Sequence, residues 1–168
     1  MPTYDAISVL GVGSKISLTT VTASVAGTTE TSLYSEALPT GVINVAGRNV
    51  RFRAWGAITT SAVAPSVTLR VKYGSTTLIS TGAITPVNIY TGKMWTLNAD
   101  LTTIASGVVE AQGLFWLDDD GVEMVNGATV SVTTSGAVTV DFTAQYGAAT
   151  AGNSITCRIA QPEVGGLI

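Results

Sequence analysis

Residues 49–58, NVRFRAWGAI, alternate between two kinds of side chain, and this alternation decides the fold class. Side chains two residues apart in a β-strand lie on the same face of the sheet. One face of this stretch is small or apolar throughout and holds Val50, Phe52, Ala54, Gly56 and Ile58. The other face holds Arg51, Arg53, Trp55 and Ala57. We therefore predict a strand with one buried and one exposed face.

The same alternation recurs along most of the chain. Residues 66–73 alternate in this way, and the following pair Gly74-Ser75 suits a two-residue hairpin turn with glycine first. In residues 138–146 the apolar side chains are predicted inward and the polar ones outward. Further strands are predicted at 16–25, 76–81, 93–103, 107–117, 128–134 and 154–160. About eight or nine antiparallel strands without helical spacing predict an all-β fold, either a two-sheet β-sandwich or a jelly-roll β-sandwich.

The two ends of the chain lack this alternation. We predict a flexible N-terminal arm at 1–15, one jelly-roll domain at 16–161 and a loose C-terminal tail at 162–168. The N-terminus has no basic segment before an apolar run, and apolar residues nowhere run on for a membrane span of about 18 residues. Neither a signal peptide nor a membrane association is expected.

The composition indicates a protein that covers part of its surface by association. Charged residues make up 11% of the chain, hydrophobic residues 46%, and the mean hydropathy is +0.42. So little charge favours self-association or burial against a partner. The net charge of −3 and the pI of about 4.7 argue against nucleic acid as a partner. Cys157 stands alone, which excludes an intrachain disulfide.

Most enzyme chemistries are excluded because the chain contains no histidine, which removes the usual catalytic triads and imidazole metal sites. Asp100 and Glu110 are interpreted as part of a solvated sheet face rather than as a glycosidase pair. The run Asp118-Asp119-Asp120-Gly121 with Glu123 offers carboxylate ligands for Ca²⁺, but its spacing does not match an EF-hand loop. We interpret the run as a polar turn, and predict a protein that is not an enzyme and needs no cofactor or metal.

Three tryptophans, Trp55, Trp95 and Trp116, are predicted on the outer face of their strands. They would either stack on sugar rings or lie in the core or a subunit contact, and the second interpretation is favoured. Basic residues lie early in the chain and acidic residues later, which fits either cross-strand pairs within one sheet or contacts between subunits. The candidate subunit-interface residues are Arg51, Arg53, Trp55, Arg70, Lys72, Trp95, Glu110 and Trp116.

Three stretches carry a resemblance to a known family. They read RFRAWGAITTSAVAPSVTLRVKYGSTTLISTGAI (51–84), MWTLNADLTTIASGVVEAQGLFW (94–116) and VTVDFTAQYGAATAGNSIT (138–156). They resemble a jelly-roll family of tailed bacteriophages whose members look like capsid decoration or cement proteins, with related modules in fibres. The resemblance implies a virion protein, made in the host cytoplasm, that forms a homotrimer on the outer surface of a shell of major capsid protein.

The N-terminal arm is the expected capsid contact. It carries apolar side chains without the regular pattern of a strand, and a partner would cover them; they are Tyr4, Ile7, Val9 and Leu10. Two alternatives to the decoration protein remain open at this point. One is a fibre or receptor-binding module that contacts a host glycan, and the other is a small glycan-active enzyme.

Overall fold

A computed structural model describes the chain at residues 28–38, 41, 44–61, 65–86, 88–117, 120–125, 129–132 and 138–165. Within these residues the chain is all-β, as the alternation predicted, and contains no helix. This part of the chain therefore has no helix suited to crossing a membrane. The N-terminal arm with Tyr4, Ile7, Val9 and Leu10, and the strand predicted at 16–25, lie outside the described residues.

The strands form two packed antiparallel sheets. The smaller sheet has the order β1 (Thr31–Leu38), β9 (Val138–Tyr146), β3 (Val67–Tyr73) and β4 (Thr76–Ser80). The larger sheet has the order β10 (Ser154–Gly165), β2 (Asn49–Thr59), β5 (Lys93–Ala105), β6 (Val108–Leu117) and β7 (Asp120–Val125). The short β8 (Val130–Ser131) pairs with β6 as well. The chain passes from one sheet to the other between β1 and β2, between β2 and β3, between β4 and β5, and on both sides of β9, and the architecture is a jelly-roll β-sandwich.

A chain of aromatic rings fills the core and joins the two sheets. Tyr34 packs against Phe52 with ring centroids 5.7 Å apart, and Phe52 packs against Phe142 at 6.0 Å. Phe142 contacts Trp95 at 5.5 Å, and Trp95 contacts Phe115 at 5.9 Å. Tyr34 and Phe142 belong to the smaller sheet and the other three to the larger sheet. Tilted ring pairs at these distances stabilise the fold by more than the burial of their apolar surface alone would.

The strands with regular alternation form where they were predicted. The apolar face of β2 is buried, and so are Val140, Phe142, Ala144 and Tyr146 of β9. The predicted hairpin is confirmed, since Tyr73 pairs with Thr76 and Gly74 adopts a φ of 56°. In this left-handed conformation glycine avoids the strain that a Cβ atom causes.

The C-terminal boundary was predicted wrongly. β10 continues to Gly165, so residues 162–165, which were assigned to a loose tail, belong to the larger sheet. Pro162 lies opposite Phe52 in this pairing. Proline is tolerated on a strand at the end of a sheet, because the side of its backbone that faces away from the partner strand needs no N–H donor.

A β-bulge interrupts β10 in its pairing with β2. The pairing with β2 shifts between Cys157 and Ile159, so that Arg158 is exposed while Cys157 is buried opposite Gly56. Burial raises the pKa of the Cys157 thiol to about 11, against a smaller lowering effect of its hydrogen bond to the Ile159 carbonyl oxygen. The bulge turns Ile159 to the outer face of the larger sheet, where it faces Trp55.

Candidate functional site

The outer face of the larger sheet carries a row of side chains that runs across four strands. Trp55 on β2 pairs with Ile159 on β10 and with Thr96 on β5, and Thr96 pairs with Trp116 on β6. We call Ile159, Trp55, Thr96 and Trp116 the aromatic row. Neighbouring residues along each strand alternate to the inner face, so these four side chains share one surface.

The two tryptophans of this row are separated by one strand. Neighbouring strands lie about 4.8 Å apart, which places the Cα atoms of Trp55 and Trp116 about 10 Å apart. Trp116 is 42% exposed, Trp55 is half-buried, and the shorter Thr96 between them is exposed. Gly121 on β7 lies opposite Trp116 and has no side chain to cover it. The row is therefore open to solvent, most of all at Trp116.

A parallel row of polar side chains borders the aromatic row. Arg53 pairs with Gln161 on one side and with Asn98 on the other, two residues along the strands from the aromatic row. The amide and guanidinium groups of these residues donate hydrogen bonds in the plane of the side chain. We call Gln161, Arg53 and Asn98 the polar row. On the other border Met94 is exposed, and Arg158 approaches it with its guanidinium 3.8 Å from the sulfur.

Cationic groups are not in excess on this face. On β2, β5, β6 and β10 the outer positions hold three cationic side chains and three anionic ones, namely Arg51, Arg53, Arg158, Asp100, Glu110 and Glu163. On β7 a fourth acidic residue, Glu123, pairs with the outer position of Leu114. The Nε atom of Arg51 lies 3.3 Å from a carboxylate oxygen of Asp100 across the β2–β5 pair. This pair follows the first of the two predicted arrangements, cross-strand pairing within one sheet. Because both side chains are nearly half exposed, the pair contributes only about 0–1 kcal/mol.

Arg70 and Lys72 lie on the opposite side of the sandwich, on β3 of the smaller sheet. Glu30 accepts a hydrogen bond from Lys72 at 3.1 Å, and its carboxylate lies 3.8 Å from Arg70. Burial raises the pKa of Glu30, but hydrogen bonds from Thr143 and Lys72 and the two cationic charges outweigh burial and lower it. The eight predicted interface residues therefore do not form one surface.

The outward placement of Trp95 was wrong. Its side chain is 1% exposed and packs between Phe115 and Phe142 in the core. Trp95 pairs with Gly56, and the missing side chain of the glycine leaves room for the indole ring. The apolar residues at 95, 97, 99 and 101 mark the buried face of β5 and are the signal that identifies Trp95 as core. Glu110 is exposed, as expected, on the outer face of β6.

The acidic run after β6 occupies a hairpin. Leu117 pairs with Asp120, so the connection between β6 and β7 falls at 118–119, where a turn was predicted, while Asp120 and Gly121 already belong to β7. Residues 118 and 119 lie outside the described part of the chain. Within the described part, no three acidic or cysteine side chains lie close enough together to hold a metal ion.

Comparisons with known proteins identify the fold. Peanut lectin in complex with a nine-residue peptide is similar over 92% of this chain and 90% of its own, with a TM-score of 0.51 and 6% identity. The chain has a lectin-like jelly-roll fold. Lectin I-B4 from Griffonia simplicifolia in its metal-free form gives a TM-score of 0.46 at 7% identity, over 82% of this chain and 78% of its own.

A phage module is also among the similar structures. The CBM2 module of the evolved Dit from Lactobacillus casei BL23 phage J-1 gives a TM-score of 0.40 at 13% identity, over 80% of this chain and 70% of its own. A scan of protein families and a search of curated proteins gave no match. At these identities the likenesses concern the fold alone.

Proposed function

We propose that this chain is a non-enzymatic module of a tailed-phage particle that binds a glycan through the aromatic row. The observation that carries the proposal is that Trp55 and Trp116 share the solvent-facing side of the larger sheet, two strands apart and in register through Thr96. An indole ring offers a large apolar surface on which the C–H face of a sugar ring can stack. Peanut lectin is a lectin by name, but the proposal for this chain rests on the aromatic row and not on that likeness.

The polar row supplies hydrogen-bonding groups, which glycan binding requires in addition to a stacking surface. A sugar ring stacked on Trp55 or Trp116 presents hydroxyl groups at its edges, and these need hydrogen-bond partners when they leave water. Gln161, Arg53 and Asn98 provide amide and guanidinium groups beside the stacking surface. A ligand face of this kind combines apolar area with a few placed polar groups.

The test measures whether immobilised or insoluble glycans retain the protein. Purified protein is applied to a glycan array and sedimented with insoluble chitin, cellulose and bacterial cell walls. We expect binding to at least one neutral glycan, and loss of that binding in the double variant Trp55→Thr with Trp116→Thr. The melting temperature should change little, because both side chains lie on the outer face and threonine is well tolerated in strands.

Ile104→Ala is the matched control, because Ile104 is also an exposed apolar residue of the outer face but lies at the far end of β5. We expect this variant to bind like the parent protein. A parent protein that is retained by no glycan would contradict the proposal, and so would a double variant that binds as well as the parent.

A second candidate is the capsid decoration protein that the family resemblance implies. It is supported by the charged fraction of only 11%, and by the shared surface of Arg51, Arg53, Trp55, Glu110 and Trp116, which suits a subunit or shell contact. We expect a homotrimer of about three times 17.2 kDa in sedimentation equilibrium.

Capsid binding separates the two candidates. If the chain decorates the shell, it should co-sediment with undecorated capsids, and deletion of residues 2–13 should abolish this while the trimer persists, since three weak arms act together. A monomer that persists at high concentration and does not co-sediment with capsids would refute the decoration role and leave glycan binding untouched.

A further inference from the structure

The spacing of the two tryptophans selects a class of glycan, and this inference rests on the proposed glycan-binding function. We infer that the aromatic row binds an extended, neutral, β-1,4-linked polysaccharide that lies across the strands. Consecutive sugar rings would lie over Trp55, Thr96 and Trp116. The first and third rings would stack on the two indoles.

The register of the sheet fixes this spacing. In an extended chain each sugar ring advances by roughly one strand spacing of about 5 Å, so rings and strands stay in step across β2, β5 and β6. Successive rings of a β-1,4-linked chain are turned over relative to each other, and every second ring therefore presents the same face. Trp55 and Trp116 lie two strands apart and would meet equivalent faces.

Thr96 would lie beneath the middle one of three consecutive sugar rings. It lies between the two tryptophans in the cross-strand register and is exposed. Its side chain is much shorter than an indole, so the surface dips between the two stacking positions. A substituent on the turned-over middle ring would fit this dip, whereas a third large side chain would lift the polymer off the row.

The polar row runs parallel to the proposed path. It lies two residues along the strands, which is about 7 Å from the aromatic row. Arg53 lies beside Trp55, and Asn98 lies beside Thr96. Their donors would contact hydroxyl groups along one edge of the polymer. The opposite border differs from this one, because it combines Ala57 and Met94 with Arg158, whose guanidinium lies against the Met94 sulfur. This difference between the two borders would give the bound chain a preferred orientation.

The charges of the face favour a neutral polymer. The outer positions of the larger sheet hold three basic and four acidic residues, so cationic groups are not in excess, and Arg51 is already engaged by Asp100. An anionic polysaccharide would require an excess of cationic groups along its path. A helical α-1,4-linked chain curves and would meet the aromatic row at one tryptophan at a time.

The experiment compares linkage and length with defined probes. Isothermal titration calorimetry is carried out with oligomers of β-1,4-linked N-acetylglucosamine, β-1,4-linked glucose and α-1,4-linked glucose, each from one to five rings. For the β-linked series we expect affinity to rise steeply up to three rings and then to level off. The α-linked trimer should bind at least about tenfold more weakly than a β-linked trimer.

Variants test the path of the polymer. Trp55→Thr and Trp116→Thr should each lower the affinity for the β-linked trimer about tenfold, because each removes one of two stacking contacts. Thr96→Arg should abolish trimer binding while both tryptophans remain. Gln112→Arg is the matched control, since it adds the same side chain at another exposed position of the same face, and it should bind like the parent.

The outcomes distinguish binding of an extended β-1,4-linked chain from glycan binding in general. Affinity that does not increase beyond one ring, or equal affinity for α- and β-linked trimers, would overturn the extended-chain inference while glycan binding stands. The same holds if the array identifies a glycan but neither β-linked series binds. If no glycan is retained on the array, both the inference and the proposed function fail.

Discussion

Replacing Gly56 with alanine is expected to destabilise the protein by more than ~3 kcal/mol, beyond the usual range for overpacking. A Cβ atom at this position would lie 1.8 Å from the carbonyl oxygen of Thr156 and 2.8 Å from the indole ring of Trp95. Neither neighbour can move freely, because the first is backbone of β10 and the second is buried in the core. This steric overlap could be relieved only if β10 moved away from β2 next to the bulge.

Gly165→Ala provides the control for this effect. Gly165 also lies in the β10–β2 pairing, but the nearest atom to an added Cβ is 4.0 Å away. We expect its unfolding free energy to stay within ~0.5 kcal/mol of the parent. Urea unfolding followed by tryptophan fluorescence measures both variants, and equal midpoints for the two would show that the contact at Gly56 is not restrictive.

Truncation of Phe142 to alanine is expected to cost about 3–5 kcal/mol. Its ring is fully buried and contacts Phe52 and Trp95, so it joins the smaller sheet to the larger one. A loss of this size removes a large part of the 5–15 kcal/mol that stabilises a typical domain. The variant should therefore unfold at much lower denaturant concentration.

Phe142→Leu separates the loss of volume from the loss of the ring. Leucine keeps much of the apolar volume, and we expect a cost of about 1–2 kcal/mol. A double-variant cycle with Phe52→Leu should show coupling, because the two rings are in contact. Strictly additive costs would mean that the ring chain does not act as a unit, and a stable Phe142→Ala variant would refute its role in joining the sheets.

Strand prediction succeeded where the side chains alternate without interruption. β2, β3, β5, β6 and β9 each place apolar residues at every second position against the core. β1 was missed because its pairing shifts between Ser32 and Tyr34, so that Leu33 and Tyr34 are buried consecutively. A bulge of this kind breaks the period of two that identifies a strand in sequence.

Only part of the candidate site could be predicted from the sequence. The alternation in β2 and β6 placed Trp55 and Trp116 on outer faces, but their distance depends on the register of three strands. Register is set by pairing between distant segments and cannot be read from either strand alone. For the same reason the sequence could not show that Arg70 and Lys72 lie on the other sheet, where they meet Glu30.

Burial of the thiol at the bulge also limits the reactivity of Cys157. Oxidation and disulfide exchange proceed through the thiolate, and a pKa of about 11 keeps Cys157 almost wholly protonated at neutral pH. No other cysteine is present in the sequence. Disulfide formation at Cys157 is therefore disfavoured, because its thiol is both buried and protonated. We expect copies of the chain to associate through noncovalent contacts rather than through disulfides.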